Sequence, residues 1–162
     1  MFCSFMHKFV TRIAIVNIGD LRPHEETDMM HTYELVRDIL ARGVLVKPIV
    51  VDEASMVILD GHHRFEALKM MGFKSIPVAM VDYFSDAIVV ESWRNNIRPT
   101  KAEVIDHARS GILYPYKTTK HMVILDGKRY HISEVVPEVN YKVVANASKP
   151  GSEAIEKLVK II

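Results

Sequence analysis

The sequence predicts an α+β fold of α/β-like character, a mixed sheet flanked by helices. Apolar runs of strand length alternate with stretches of helical periodicity through the first 80 residues and mix with them thereafter. The run Val57-Ile58-Leu59 passes without a loop through Asp60-Gly61-His62-His63-Arg64 into a helix. A chain of 162 residues, 49% hydrophobic and 25% charged, suffices for one domain with a buried core.

The N-terminal MFCSFMHKFV is mildly apolar, interrupted by His7 and Lys8, and lacks a small-residue cleavage site, so residues 1–12 are expected to form an extended arm rather than a signal peptide. Ile13, Ile15 and Ile18 alternate over a first strand, Arg12 to Ile18, closed by a turn at Gly19-Asp20. Arg22-Pro23-His24-Glu25-Glu26 reads as a polar segment without regular structure, stiffened by Pro23. Met30 to Ala41 is an amphipathic helix with Met30, Tyr33, Val36, Ile39 and Leu40 on one stripe, stopped by Gly43.

Lys47 to Asp52 and Met56 to Leu59 are strands joined by Glu53-Ala54-Ser55. Phe65, Leu68 and Met71 then recur at helical spacing, with Gly72 at the helix stop. Ile76 to Val81 is a strand whose Pro77 suits an edge or a first residue. Ala87 to Trp93 is a further strand, and Thr100 with Glu103 forms a capping box that opens a helix ending near Gly111. Ile112 to Met122 is an exposed loop by composition. Val123 to Leu125, Asp126-Gly127 and Tyr130 to Ile132 form a hairpin. A strand over Tyr141 to Ala145 and a helix over Ser152 to Ile162 close the chain, so residues 13–123 are expected to form the main domain, with 124–162 packed on it.

A net charge of +1 gives no global field for nucleic acid or an anionic membrane, so an anion site has to be local. The one cysteine, Cys3, excludes an internal disulfide framework and fits a reducing, cytoplasmic setting. No apolar run of about 18 residues is present for a membrane-spanning helix. Neither a phosphate-cradling Walker loop nor GxGxxG occurs, and no cysteine spacing suits zinc.

Three polar clusters remain. The first is Asp60-Gly61-His62-His63-Arg64, at a helix mouth whose free N–H groups and positive dipole end favour an anion. Asp60 can cap that helix, hold Mg²⁺, or do both. Of the adjacent His62 and His63, one is expected to face a ligand while the other orients or packs. Arg64 is either a phosphate donor or half of a salt bridge. The second cluster is Lys117-Thr118-Thr119-Lys120-His121, rich in donors and free of carboxylates, a composition suited to phosphate. The third is Pro23-His24-Glu25-Glu26, where Glu25, with Glu26 as its rival, can accept a proton from an alcohol. Trp93 either packs or binds. His107 and His131 lie on regular elements and receive no role. Together the clusters suit phosphoryl transfer, which needs positioning and charge neutralisation.

At these residues the sequence resembles the ParB/sulfiredoxin superfamily, in particular its free L-serine kinase branch. DGHHR at residues 60–64, Pro23-His24-Glu25 before the first helix, Asp82 to Asp86 (DYFSD), Trp93, and Pro115-Tyr116-Lys117-Thr118-Thr119-Lys120-His121 carry the likeness. The resemblance implies Mg²⁺-dependent transfer from ADP or ATP to free L-serine, giving O-phospho-L-serine for cysteine synthesis. It implies Glu25 and Asp60 as catalytic residues, Asp60 as the metal ligand, and Gly61, His62, His63, Arg64 and Lys117 to His121 as nucleotide- or phosphate-binding. His24 and Trp93 would contact substrate. The chain is a short form: Arg94 to Pro99 bridges in six residues a gap that longer kinases of the branch fill with a middle segment. Lys120 stands where the branch has Arg, keeping charge but not the bidentate fork.

Two other readings stand beside this one. A ParB-like nucleotide-binding, regulatory or DNA-associated module without kinase activity fits the superfamily. Neutral charge and the absence of a Gly-Glu-Arg-Arg motif count against it. A kinase remnant without activity is the other, against which stands the retention of Glu25 with both phosphate clusters.

Overall fold

The computed structural model describes residues 9–143. It opens with β1 (Val10–Asn17), a single 3-10 turn (Ile18–Asp20) and α1 (Met29–Arg42). β2 (Val44–Leu45), β3 (Ile49–Asp52) and β4 (Ile58–Asp60) lead into α2 (His62–Met70) and β5 (Ser75–Val81). Then come β6 (Ile88–Ser92), α3 (Lys101–Ser110), β7 (Thr119–Leu125), β8 (Lys128–His131), the one-turn α4 (Ile132–Val135) and β9 (Tyr141–Lys142).

The central sheet is mixed, as the alternation of elements predicts, in the order β1-β5-β3-β4. β3 runs parallel to β5, whereas β1 and β4 are antiparallel to their neighbours. β3 and β5 are buried on both faces, which is why they read as continuous rather than alternating apolar runs. On one face Ile49, Val51 and Val78 pack against Val36 and Ile39 of α1 and Phe65 and Leu68 of α2. On the other, Val50, Ala79 and Val81 meet Ile88 and Val123, from an antiparallel sheet β6-β7-β8, and Val104 of α3. β2 and β9 pair separately.

Several local expectations change. The first strand begins at Val10, not Arg12, and Phe9 is already buried, while Ile18 belongs to the turn. Asp28 caps α1 by accepting from the Met30 N–H, which phases the buried stripe onto Thr32, Val36 and Ile39 and leaves Met30 67% exposed. Pro77 sits in an inner strand. β3 meets β5 only from Val78 onward, so Pro77 borders no strand on that side. The stretch 112–122 is not an exposed loop throughout. β7 starts at Thr119, Lys120 pairs with Glu91 of β6, and Thr118 and His121 are buried. The expected helix over Ser152 to Ile162 lies outside the described residues, as does the end of the strand over Tyr141 to Ala145.

The polar segment after the first turn makes no named element but is pinned in place. The Arg22 N–H donates to the Met56 carbonyl and the Ile58 N–H to the Arg22 carbonyl, both at 2.9 Å. The Tyr114 N–H donates to the His24 carbonyl at 2.9 Å, and the Glu26 N–H to the Tyr114 carbonyl at 2.8 Å. This laces Leu21 to Glu26 between the start of β4 and Tyr114, beside the mouth of α2. Among the described residues no helix is long and apolar enough to cross a membrane.

Candidate active site

β4 ends at Asp60 and α2 begins at His62, so Gly61 alone makes the turn, at φ +97°. A side chain there would be strained, and its Cβ would lie 2.7 Å from Arg64 Nη2. Gly61, not Asp60, is therefore the N-cap, and no side chain caps the helix. The first-turn N–H groups stay available to a ligand, in the place where the helix dipole adds positive potential. Asp60 instead accepts from Arg64 Nη2 at 2.8 Å through Oδ2, with both side chains largely buried. Its Oδ1 faces His131 Nε2 at 3.9 Å.

His62 and His63 have matching tasks. His62 Nε2 accepts the His24 N–H at 3.1 Å, and His63 Nε2 accepts the Asp28 N–H at 2.9 Å. A backbone N–H is always a donor, so both rings are neutral with the proton on Nδ1. Burial pushes His62 well below the ordinary imidazole range, helped by the neighbouring His24 and His121. It lowers His63 too, with His31 adding to it at a ring separation of 4.4 Å. Both histidines orient the 24–28 segment, and neither supplies positive charge.

That segment delivers Glu25. Its Oε1 accepts the Thr118 N–H at 3.1 Å, and its Oε2 accepts the Thr119 N–H at 3.0 Å and the Thr119 hydroxyl at 2.7 Å. Lys117 adopts φ +52°, rare for a residue with a side chain. The left-handed turn lets the next two N–H groups converge on one carboxylate. Glu26 is exposed. With the backbone paired to Tyr114, Glu25 and not Glu26 lines the cleft.

Behind the mouth lies a buried imidazole cluster. The His24 ring is 4.5 Å from that of His62 and 5.9 Å from that of His121. His24 Nε2 donates to Thr119 Oγ1 at 2.8 Å, since that hydroxyl's own proton goes to Glu25. His121 Nε2 bonds the Tyr83 hydroxyl at 2.9 Å. Desolvation holds His24 down at about 4 and His121 well below its ordinary value.

The mouth opens on a cleft of about 350 Å³ that brings together Glu25, Asp60 to Arg64, Lys117 and Thr119, with Trp93 at its rim. Other residues of the expected set lie off it. His24 is fully buried and cannot touch a substrate, because packing against His62 and Tyr114 seals it from the cleft. Thr118 and His121 are buried, Thr118 with its hydroxyl spent on the Pro115 carbonyl. Lys120 stands on β7 with Nζ 4.2 Å above the Trp93 ring, and Trp93 itself is 56% exposed rather than packed. The cleft also takes in His31, Leu35 and His131, which sequence reading missed. His131 carries no local signal, since only the β7–β8 pairing brings it there. Leu35 and Arg64 also wall a second, mainly apolar cavity of about 280 Å³ lined by Ile39 and Val44 to Val46. Among the described residues no cluster of three or more His, Cys, Asp or Glu side chains is placed to hold a metal.

Comparison with known proteins supplies a family and a fold. The ParB N-terminal domain family matches residues 5–96. A ParB-like protein of Sulfolobus acidocaldarius is 31% identical over 90% of this chain and 78% of its own length. An ATP-dependent L-serine kinase of Staphylothermus marinus is 31% identical over 49% of this chain, which spans only 33% of that kinase. The fold matches a free serine kinase variant in complex with ADP at a TM-score of 0.70 and 16% identity, over 86% of this chain and 97% of that one.

Proposed function

This chain belongs to the ParB N-terminal domain family, and within that family we propose that it is a nucleotide-dependent kinase of free L-serine, giving O-phospho-L-serine. One observation carries the proposal. Glu25 is fixed in the same cleft as the uncapped helix mouth and Lys117, so a proton acceptor and a phosphate site share one small volume. Relatives named as serine kinases support it, but they are matched over a minor part of their length.

The nucleotide's terminal phosphates lie against the N–H groups of His62 and His63, with Lys117 supplying the cation. Arg64 shares its charge with Asp60 but retains further N–H donors. The apolar cavity beyond Leu35 and Arg64 suits the base. Asp60 fits Mg²⁺, an ion often held by one carboxylate with phosphate and water oxygens, because Oδ1 is not used by Arg64. When bound, that ion neutralises charge on the phosphates. Glu25 Oε1 accepts one hydrogen bond within the protein and keeps one acceptor position, from which it can take the proton of the serine hydroxyl. Lys117 and the helix mouth hold the phosphoryl group in place, Asp60 would act on it only through the ion it would carry, and Trp93 covers the acceptor at the rim.

The experiment is incubation with Mg²⁺, ADP or ATP, and a panel of hydroxy amino acids, with O-phosphoserine detected by mass spectrometry. Glu25→Gln should lower turnover roughly a hundredfold or more. It also turns one accepting oxygen into an NH₂ that faces a backbone N–H, costing about 1–3 kcal/mol of stability, so rates are compared below its melting point. Nucleotide binding without product would leave the module reading, a nucleotide-binding member of the family that transfers nothing.

A further inference from the structure

We propose that His131, from the C-terminal hairpin, is a phosphate-contacting residue of the cleft, acting as a hydrogen-bond donor through Nε2. The inference rests on the reading that the cleft takes a nucleotide. His131 lies beyond the segment matched by the family, which ends at residue 96.

Three observations carry it. First, His131 ends β8 opposite Met122 of β7, and this pairing swings its ring over the cleft facing Asp60. Second, its proton is assigned by the backbone. His131 is the N-cap of α4, and its Nδ1 accepts the Ser133 N–H at 3.2 Å while lying 2.7 Å from the Ser133 hydroxyl. A ring nitrogen that accepts an N–H has no proton of its own, so in the neutral ring Nε2 carries it. The Glu134 side chain, bonded back to the His131 N–H at 3.0 Å, completes a capping box that fixes the residue. Third, Nε2 lies 3.9 Å from Asp60 Oδ1, too far for a direct hydrogen bond, so its N–H remains for an oxygen of a ligand in the cleft that both residues line.

The arrangement mirrors His62 and His63. Those rings accept backbone N–H groups at Nε2 and are neutral with the proton on Nδ1. His131 accepts at Nδ1 and so carries its proton on Nε2. It therefore gives a donor on the wall that faces Asp60.

The test uses the full chain and the variant His131→Asn. Asparagine is a good N-cap and keeps the bond to Ser133, but has no group at the Nε2 position. The melting temperature should stay close to wild type, while affinities for ADP and for inorganic pyrophosphate, each measured with and without Mg²⁺, should fall about tenfold or more. In the unaltered protein, the Nε2–H resonance of His131, assigned by its loss in the variant, should shift on pyrophosphate addition. Unchanged affinity in a folded His131→Asn protein would overturn the proposal, and so would an Nε2–H resonance unmoved by saturating pyrophosphate. These are binding readouts. If no variant or wild-type protein makes O-phosphoserine, the kinase reading falls, and pyrophosphate binding still decides the role of His131.

Discussion

Acidification should loosen this protein well before its carboxylates titrate, and the buried imidazoles say by how much. His24, His62 and His121 are all neutral in the folded chain, and desolvation is the leading cause for each. His24 falls from 6.5 to about 4. A histidine depressed on folding leaves stability untouched above its unfolded value of about 6.5. Below it the unfolded chain takes up a proton that the folded chain refuses, and stability is lost as pH falls toward the folded value. At about 1.4 kcal/mol per unit, His24 alone removes roughly 2 kcal/mol between pH 6.5 and 5, and about 3 kcal/mol by pH 4. The other two rings act in the same direction. For a chain of this size 2 kcal/mol lowers the melting temperature by about 4–8 °C. Thermal melts at constant ionic strength, from pH 7.5 to 5, check this. A protonated His62 cannot accept the His24 N–H, so the 24–28 segment should open first. Hydrogen-exchange protection at the His24 and Asp28 N–H groups should fall across that window while that of β5 holds. A melting temperature that stays flat from pH 7 to pH 5 would refute the reasoning.

Three further outcomes follow from the same contacts. Gly61→Ala forces a side chain onto φ +97° and against Arg64, so stability should drop by about 1–2 kcal/mol in a denaturant melt, and pyrophosphate should bind more weakly as the Asp60–Arg64 pair is displaced. Thr119→Val removes a hydroxyl that accepts from His24 and donates to Glu25, which should cost about 1–3 kcal/mol and lower turnover with little change in nucleotide affinity, as separate melts and titrations would record. Lys117→Ala keeps the left-handed backbone at similar strain but deletes the cleft cation. Isothermal titration with ADP should show a larger loss than the melting temperature does.

The strand and helix around Asp60 were legible because both are local. A short apolar run, a glycine and a helical repeat of Phe65, Leu68 and Met71 identify them without reference to the rest of the chain. What the sequence hid is what distant segments impose. Asp60 reads as a cap by position, yet the guanidinium one turn later takes its carboxylate. His121 and Thr118 read as exposed by composition, yet pairing of β7 with β6 turns them inward. The resemblance implies a substrate contact at His24, yet His62 and His121, from segments far apart in the chain, close over it. Which of Glu25 and Glu26 enters the cleft hangs on one backbone pairing with Tyr114, and no property of the two residues themselves distinguishes them.

The hydrogen bonds that hold Glu25 reach across 93 and 94 residues of chain, whereas those from His62 and His63 reach across 38 and 35. On a ribosome these become available at different times. The helix mouth can capture the 24–28 backbone while synthesis is still under way, but the carboxylate has no partner until Thr118 and Thr119 emerge. At about 5–20 residues per second, the roughly 56 residues from His62 to Thr118 take on the order of 3–11 s. On the proposed function, the nascent chain then has the start of its phosphate cradle and not its proton acceptor. On that same proposal, a polypeptide released early, before the hairpin, would compete for nucleotide and be unable to use it.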